Sequence, residues 1–337
     1  MQLSIIVPVY KVEPYVEKCL RSLMAQDLPP EQYEVIVIND GSPDNSREVV
    51  LRLQQEFSNI ILLEQENKGV SVARNNGFAR AQGRYILCID PDDYILPNTL
   101  ARVSNKAEKD NLDVLYLGFT ILGETGIVEY TTDYAALAGQ VYIGVDTYFK
   151  SRGSRVRDPD RSVGILYSNS FLKKHGLSYP VDVPFLEDGL FLAKVLCLAP
   201  RCAFDHQPFY QRTTRPGSAT HSSLYYSEIA RKGFIKAAVE IQKFASMYQL
   251  NKAQQYLINQ ATAKFVLLPL QSCIADKARP AFRDMVAELR KIGLQKLNLA
   301  GCMPVYANLG KVYNLSTTLF YNYYPFYAKV NKLLYEN

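Results

Sequence analysis

The chain has 337 residues, 48% of them hydrophobic, which is enough for one large core or for a core with an appendage. It contains no apolar run long enough to span a bilayer, and its first eight residues lack the basic region and cleavage site of a signal peptide. Six cysteines without a C-x-x-C pair are typical of reduced core thiols. We therefore expect a globular protein of the cytoplasm.

The net charge of +5 conceals a strong asymmetry along the chain. Residues 1–230 hold 23 Lys and Arg against 28 Asp and Glu, whereas residues 231–337 hold 15 against 5. A basic region of this kind fits either nucleic acid or an anionic membrane surface.

The first hundred residues alternate apolar strand patterns with amphipathic helical patterns. The strands are expected at Leu3 to Val9, Val35 to Ile38, Ile60 to Leu63 and Tyr85 to Ile89. Repeated strand–helix units with apolar rather than alternating strands predict an α/β fold with a doubly wound, mostly parallel sheet. Ligands of such sheets bind outside the carboxyl ends of the strands.

Those strand ends carry the candidate site residues. They are Pro8-Val9-Tyr10, Asn39-Asp40-Gly41-Ser42, Asn67-Lys68-Gly69 and Asp90-Pro91-Asp92-Asp93. None is a glycine-rich phosphate loop, which disfavours a dinucleotide or P-loop ligand. An aromatic ring, amides and carboxylates could instead stack on a base, bind a ribose and hold a metal on a pyrophosphate. Each residue also has an ordinary alternative as a packing, turn or helix-capping residue.

Four motifs, in this order, resemble those of the family 2 glycosyltransferases of bacterial cell-surface polysaccharide synthesis. They are Ile5-Ile6-Val7-Pro8-Val9-Tyr10, the turn from Val37 to Asp44, Gly69 to Asn75, and Asp90-Pro91-Asp92-Asp93. The resemblance is close over the first 100 residues and looser to about residue 220. It implies a GT-A catalytic domain over 1–222, with a nucleotide-sugar half at 1–112, an acceptor half at 113–222 and a helical C-terminal region at 223–337.

The resemblance assigns nucleotide-sugar binding to residues of the strand ends. These are Pro8, Val9, Tyr10, Glu13, Asp40, Asn67, Arg74, Asp90, Pro91 and Asp92, joined by Arg212 and Arg215 in a later loop. Asp40 would bond the base, most often uracil, and Arg74 would reach the phosphates or order the acidic loop. Asp90 and Asp92 match the family's D-x-D element, which implies Mg²⁺ or Mn²⁺ as cofactor, with His221 as a weaker third candidate ligand.

The catalytic candidate is Asp188 in Glu187-Asp188-Gly189, just before an amphipathic helix. By resemblance it is the base that takes the proton of the acceptor hydroxyl, and inversion requires no covalent enzyme intermediate. The alternative is an acidic helix start favoured by the helix dipole. Processive relatives carry a tryptophan where this chain has Pro216, and no membrane-spanning run follows, so we expect addition of a single sugar.

Two later regions are less readable. Residues 120–160 show weak periodicity and several glycines, and we expect irregular structure that receives the acceptor. A cluster of arginines in and next to this stretch could bind a phosphate, but charge runs are usually solvated, which favours an exposed loop. The cluster consists of Arg152, Arg155, Arg157 and Arg161.

The C-terminal region interleaves tyrosines and phenylalanines with lysines, as at membrane interfaces. It could dock on the inner leaflet, pack on the catalytic domain or form a homodimer contact.

The expected activity is transfer of one sugar from a UDP-hexose or UDP-N-acetylhexosamine to a glycan or lipid-linked acceptor, with no nucleic-acid partner. A sugar-nucleotide-forming nucleotidyltransferase would need a glycine-rich basic loop, which Pro8-Val9-Tyr10-Lys11 is not. A non-catalytic nucleotide- or lipid-binding module predicts damaged acidic residues, yet Asp90, Asp92 and Asp188 are all present.

Overall fold

The computed structural model describes residues 1–152, 160–214 and 227–335. The strands are β1 (Leu3–Val9), β2 (Tyr33–Asp40), β3 (Ile60–Gln65), β4 (Tyr85–Cys88), β5 (Tyr94–Ile95), β6 (Val114–Leu122), β7 (Val128–Thr131), β8 (Ile165–Ser168) and β9 (Cys202–Thr213). The helices are α1 (Glu13–Met24), α2 (Ser46–Glu56), α3 (Val70–Arg80), α4 (Leu100–Lys109), α5 (Gly144–Lys150), α6 (Asn169–Lys174), α7 (Glu187–Leu198), α8 (Glu228–Ser246), α9 (Lys252–Ala275), α10 (Arg279–Lys291), α11 (Pro304–Leu315) and α12 (Thr317–Tyr335).

The chain divides into two compact units. The first comprises Met1–Val181 and Leu198–Pro216 and contains the whole sheet, and the second comprises Asp182–Cys197 and Gly217–Asn337 and is helical. The acidic stretch around Asp188 thus belongs to the second unit. The boundaries expected from the sequence, at residues 112 and 222, stay a prediction.

The sheet of the first unit has the order β3-β2-β1-β4-β8-β6-β9-β5, with β7 on β6. Its first four strands are parallel, as predicted, and β1 and β2 are buried along their whole length. The register pairs Val9 with Asn39 and Asp40 with Gln65, so the carboxyl ends of three neighbouring strands meet at one edge. The sheet continues as a mixed one, because β8 pairs antiparallel with both β4 and β6.

Helix α3 packs tightly on the parallel strands, and a glycine makes this possible. A Cβ added at Gly77 would lie 2.5 Å from the Ile6 side chain on β1 and 3.0 Å from that of Ile38 on β2. Only hydrogen fits in such a gap, so the backbone of α3 approaches the sheet closely. This approach places Arg74, one turn earlier on the helix, beside the end of β4.

The second unit is built around α9. That helix is buried on nearly all sides from Leu257 to Ile274, and Asn251 and Gln254 form a reciprocal capping box at its start. Helix α8 packs on it, and Phe234, Ala238 and Ile241 are buried on α8. Among the described residues, no helix combines the length and the apolar character required to cross a membrane.

Two sequence expectations need correction. The stretch 120–160, for which the sequence predicts irregular structure, contains the end of β6, strand β7 and helix α5. The exposed loop expected around the arginine cluster is wrong for Arg152 and Arg161, which are only 8% and 4% exposed. Arg152 pairs with Asp160, and Arg161 donates to the carbonyl oxygens of Val163 and Gly164. Arg155 and Arg157 lie outside the described residues.

Candidate functional site

The acidic turn after β4, residues 90–93, is held in place by its last carboxylate, that of Asp93. Asp93 is buried, and its Oδ2 accepts a hydrogen bond from the Tyr210 hydroxyl at 2.6 Å while Oδ1 accepts from the Thr213 backbone N–H at 2.8 Å. Both donors lie on β9, which pairs with the two residues of β5 directly after the turn. The position of the turn therefore depends on a strand more than a hundred residues away.

Further contacts fix the backbone of the turn. The Asp93 N–H donates to the Asp90 carbonyl at 3.1 Å, the Asp90 N–H donates to the Tyr210 hydroxyl oxygen at 3.2 Å, and the Thr213 hydroxyl donates to the Asp92 carbonyl. Burial, followed by the charges of Asp90 and Asp92, raises the pKa of Asp93 well above its usual range. Asp93 is thus a positioning residue, whereas the Asp90 and Asp92 carboxylates are partly open to solvent.

Arg74 contacts the same turn from the other side. Its guanidinium is 3% exposed and donates through Nη2 to Oδ1 of Asp90 at 2.9 Å. The guanidinium carbon also lies 4.9 Å from the centre of the Tyr179 ring, a cation–π contact. The contact with Asp90 connects Arg74 to the acidic turn, and both roles implied for Arg74 stay predictions.

Asp40, at the end of β2, organises the loop between β3 and α3. Its buried carboxylate accepts from the Lys68 and Gly69 backbone N–H groups at 2.8 and 2.9 Å and from the Gln65 side chain at 2.7 Å. Gly69 has φ of +86°, a left-handed conformation that favours glycine. Asp40 therefore shapes the loop that carries the exposed Asn67. The contact of Asp40 with a base stays a prediction.

The end of β1 presents one ring to solvent. Pro8 and Val9 are buried, whereas Tyr10 is 40% exposed. The Lys11 ammonium lies 5.2 Å from the centre of the Tyr10 ring, and the Lys11 N–H donates to the Ser42 hydroxyl at 3.2 Å. Pro8, Val9 and Tyr10 are all assigned to nucleotide-sugar binding by the resemblance, but only Tyr10 offers an open side-chain surface.

Glu13 joins two neighbouring turns of this edge. Its carboxylate accepts from the backbone N–H and the side-chain amide of Asn45 at 3.1 and 2.9 Å, and its own N–H donates to Asp44 at 3.1 Å. These bonds hold the start of α1 against the start of α2. Glu13 consequently has a structural function here, whatever contact it makes with a ligand.

Four further residues are predicted to bind the nucleotide sugar or a metal ion. Arg212 lies half-buried near the end of β9, beside Thr213. Pro91 is buried between the two carboxylates. Arg215 and His221 lie outside the described residues.

Asp188 lies half-buried in the first turn of α7, within the second unit. The preceding loop is unusual, since Phe185 has φ of +71°, a conformation that costs a residue with a large side chain of order 1–3 kcal/mol. The loop packs closely on α8, where a Cβ at Gly233 would lie 2.9 Å from the Pro184 ring. Strain retained at this point is consistent with a functional loop, and the role of Asp188 as a base stays a prediction.

The donor chemistry of the acidic turn fits a hard divalent cation. Asp90 and Asp92 offer carboxylate oxygens, which Mg²⁺ and Mn²⁺ prefer, and both are partly exposed. No group of three or more His, Cys, Asp or Glu side chains arranged for a metal ion occurs in residues 1–152, 160–214 and 227–335. A cation held here would therefore complete its shell with water and with oxygens of a bound ligand.

Sequence reasoning missed three residues that build this site. Tyr210 and Thr213 hold Asp93, and Tyr179 lies against Arg74. The available signal for Tyr210 is its position two residues before Arg212, which the resemblance assigns to nucleotide-sugar binding. Nothing local in the sequence pairs strand β9 with the acidic turn.

The chain is similar to known glycosyltransferases. The sequence profile described as glycosyl transferase family 2 matches residues 4–173, about half of the chain. EpsJ of Bacillus subtilis, named an uncharacterized glycosyltransferase, is 41% identical over 116 residues, which cover 34% of this chain and 33% of EpsJ. TarS of Staphylococcus aureus, a poly(ribitol-phosphate) β-N-acetylglucosaminyltransferase, is 28% identical over 243 residues, or 72% of this chain and 40% of TarS. The chain thus spans well under half the length of these two relatives.

Two solved structures share the fold. The structure of S. aureus TarS 1–349 in complex with UDP-GlcNAc superposes with a TM-score of 0.73 and 22% identity, covering 96% of this chain and 92% of that one. The mannosyltransferase PcManGT of Pyrobaculum calidifontis, in complex with GDP-Man and Mn²⁺, gives a TM-score of 0.53 at 14% identity, with coverage of 100% and 88%. At these identities the likeness establishes the GT-A fold.

Proposed function

Because the chain belongs to glycosyl transferase family 2 and has the GT-A fold, we propose that it moves one sugar from a nucleotide diphosphate sugar to an acceptor hydroxyl, with inversion at the anomeric carbon. The observation that carries the proposal is the acidic turn, in which Asp90 and Asp92 stay partly open while Arg74 and the buried Asp93 hold them in place. Such preorganised charge suits binding of a diphosphate through a cation.

The donor proposed is a UDP-hexose or UDP-N-acetylhexosamine. TarS 1–349, which shares the fold, is solved with UDP-GlcNAc. The exposed ring of Tyr10 supports stacking of the base, and the exposed Asn67 at the same edge supports a polar contact. Asp40 is proposed to bond the base, although its carboxylate is buried and also holds the loop that carries Asn67. Arg212 and Arg215 are proposed to contact the diphosphate. Pro8 and Val9 would contribute through backbone atoms, since their side chains are buried.

The proposed cofactor is Mg²⁺ or Mn²⁺, held by Asp92 and Asp90. When bound, such an ion neutralises charge that develops on the leaving nucleotide. Arg74 keeps one Asp90 oxygen oriented toward α3, and the Asp93 contacts fix the backbone that carries both carboxylates. His221 remains a weaker candidate ligand.

Asp188 is the proposed general base. It lies partly exposed at the start of a helix, behind a loop with a left-handed Phe185. A carboxylate in that position can accept the proton of an acceptor hydroxyl as the oxygen attacks the anomeric carbon. Inversion by direct attack needs one such base and no covalent intermediate.

The proposed acceptor is a glycan or lipid-linked precursor of a surface polysaccharide, reached from the cytoplasmic side. Support comes from TarS, whose name specifies a poly(ribitol-phosphate) acceptor. A peripheral membrane contact is proposed for α12, where the apolar side chains of Leu319, Tyr323 and Phe326 recur at helical spacing and are 44%, 36% and 66% exposed. The alternative is that the same residues of α12 form a homodimer contact.

The test is nucleotide release from a panel of UDP- and GDP-sugars with Mn²⁺ and an added surface-glycan acceptor. We expect release from one UDP-sugar, abolished by chelator and reduced at least about a hundredfold in Asp92→Asn, since the ion would lose a charged ligand. The matched control is Asp110→Asn, which neutralises another half-buried carboxylate of the first unit, at the end of α4. Equal activity of the two variants would contradict the proposed metal site. Synthesis of a sugar nucleotide from a nucleoside triphosphate would favour the nucleotidyltransferase instead.

A further inference from the structure

A basic pocket lies within the helical unit, between α10 and the start of α12. It is a cavity of about 220 Å³. Its polar lining consists of Arg279, Arg283, Arg290, Thr317, Thr318 and Tyr321. The lining residues that the structure describes include no carboxylate, so the pocket combines up to three positive charges with hydroxyl groups and no counter-charge among them.

The arginines share one face of α10. Arg279, Arg283 and Arg290 are spaced by four and seven residues, which returns each to within about 40° of the same direction on an α-helix. Phe282, Val286 and Leu289 are buried on the same helix, and Phe282 and Val286 line the pocket beside the arginines. The pocket therefore has an apolar base with the arginines, which are exposed, next to it.

The three guanidinium groups are available for a ligand. In the part of the chain that the structure describes, none of them forms an ion pair, whereas the nearby Glu288 carboxylate on α10 is bound by Lys291 at 2.6 Å. The Arg279 guanidinium carbon lies 5.4 Å from the centre of the Tyr321 ring, and Phe282 packs on that ring at 4.9 Å. One arginine is therefore held in place by an aromatic contact that leaves its N–H donors free to bind an anion.

The start of α12 adds further hydrogen-bond donors to the pocket. Thr317 and Thr318 form the first turn of α12, a helix of 19 residues, so the pocket is lined by two threonines at the positive end of the helix dipole. Planar guanidinium groups, hydroxyls and a helix N-terminus are the set of groups that binds phosphate oxygens.

We propose that this pocket binds a phosphate ester, either the headgroup of an anionic lipid or the phosphate of a soluble polyol phosphate. All residues that line the pocket belong to the second unit, and the proposal does not depend on the proposed glycosyl transfer. The chemistry is shared by both sources: a tetrahedral anion that accepts bidentate bonds from Arg283 and a neighbouring arginine, with its ester oxygen near the threonine hydroxyls.

The experiment compares the double variant Arg283→Gln, Arg290→Gln with the control Lys296→Gln, Lys311→Gln in the full chain. Both variants remove two exposed positive charges from the helical unit, and glutamine preserves helix propensity. Binding is measured by co-sedimentation with phosphatidylcholine vesicles with and without phosphatidylglycerol, and by titration with glycerol phosphate. Circular dichroism and melting temperature verify that both variants fold.

We expect the arginine variant to bind phosphatidylglycerol vesicles roughly 25-fold more weakly than the wild type, with a much smaller loss for the control. A specific loss toward vesicles alone supports the site and assigns the phosphate to lipid. A specific loss toward glycerol phosphate alone supports the site and assigns the phosphate to a soluble ester. Equal losses in the arginine variant and the lysine control, with both probes, would overturn the proposal, because they would reflect diffuse charge.

Discussion

The Tyr210 hydroxyl donates to Asp93 at 2.6 Å and so connects β9 to the acidic turn that follows β4. The two residues are 117 positions apart, and both are buried. The same hydroxyl oxygen accepts from the Asp90 N–H, which places it at the centre of the turn. The geometry of the two open carboxylates is therefore controlled by a tyrosine that does not itself reach the ligand side.

Replacing Tyr210 with phenylalanine removes that hydroxyl and leaves Asp93 with one donor fewer in a buried environment. We expect a loss of about 1–3 kcal/mol of unfolding free energy. We also expect a fall of roughly 10- to 100-fold in kcat/KM for nucleotide release, because small displacements of catalytic groups are costly. Denaturant unfolding and steady-state kinetics measure the two effects.

The matched control is Tyr33→Phe. Tyr33 is also buried, and its hydroxyl donates to the Leu23 carbonyl at 3.0 Å at the start of β2, the other end of the strand from the candidate site. It should lose comparable stability and retain its kinetic constants. If both variants lose activity in proportion to stability, the positioning role of Tyr210 is refuted.

Asp40→Asn is expected to loosen the loop between β3 and α3. An amide has one acceptor oxygen, so it cannot serve the N–H groups of both Lys68 and Gly69 together with Gln65. We expect faster hydrogen exchange at Lys68 and Gly69 and about 1–3 kcal/mol of lost stability. Glu64→Gln, which alters an exposed carboxylate of β3 paired with Arg47, should leave exchange in this loop unchanged.

Much of the fold of residues 1–112 could be predicted from the sequence, because the patterns that indicate its strands and turns are local. The runs Leu3–Val9 and Val35–Ile38 are mainly apolar, the strands that contain them are buried along their length, and parallel strands deliver their following turns to a common edge. The apolar pattern and this rule together locate Tyr10, Asp40 and the acidic turn at one edge of the sheet. Strands β2 and β3 extend two residues beyond the expected apolar runs, because polar residues such as Asp40 still join the ladder, whereas β1 has the expected bounds and β4 ends one residue earlier.

The other half depends on contacts between distant segments. Strand β8 inserts antiparallel between β4 and β6, and nothing in its four residues indicates that pairing. The same limit explains the misinterpretation of Arg152 and Arg161. Charge in a glycine-rich stretch is typical of an exposed loop, but here carbonyl oxygens, Asp160 and aromatic rings satisfy both guanidinium groups in the interior.

Arg74→Gln should separate ordering of the acidic turn from simple loss of surface charge. The side chain is buried and its partner Asp90 is about one third exposed, so we expect a loss of about 1–3 kcal/mol, less than for a fully buried pair. Arg80→Gln, an exposed arginine on the same helix, serves as the control. A donor nucleotide titration should show weakened binding only for Arg74→Gln, and unchanged binding would contradict the ordering role.

Asp160→Asn should be among the most destabilising single substitutions in the first unit. Arg152 and Asp160 form an ion pair whose side chains are 9% and 8% exposed, so removal of the carboxylate charge leaves a buried guanidinium without its counter-ion. The expected loss is about 3–5 kcal/mol. For Glu228→Gln, which breaks the exposed pair with Lys232, the melting temperature should stay essentially unchanged, because such surface pairs contribute little.

Asp188→Asn should slow the chemical step and spare the binding of the donor. Removal of a general base lowers kcat by roughly 10²- to 10⁴-fold, whereas the residues proposed to bind the nucleotide belong to the first unit. The control is Asp182→Asn, an exposed carboxylate in the same loop region that pairs with Lys236 at 2.8 Å. Isothermal titration with the nucleotide and single-turnover transfer measure the two properties separately. Transfer at the wild-type rate by Asp188→Asn would assign the base elsewhere, and weakened nucleotide binding would instead make Asp188 part of the donor site.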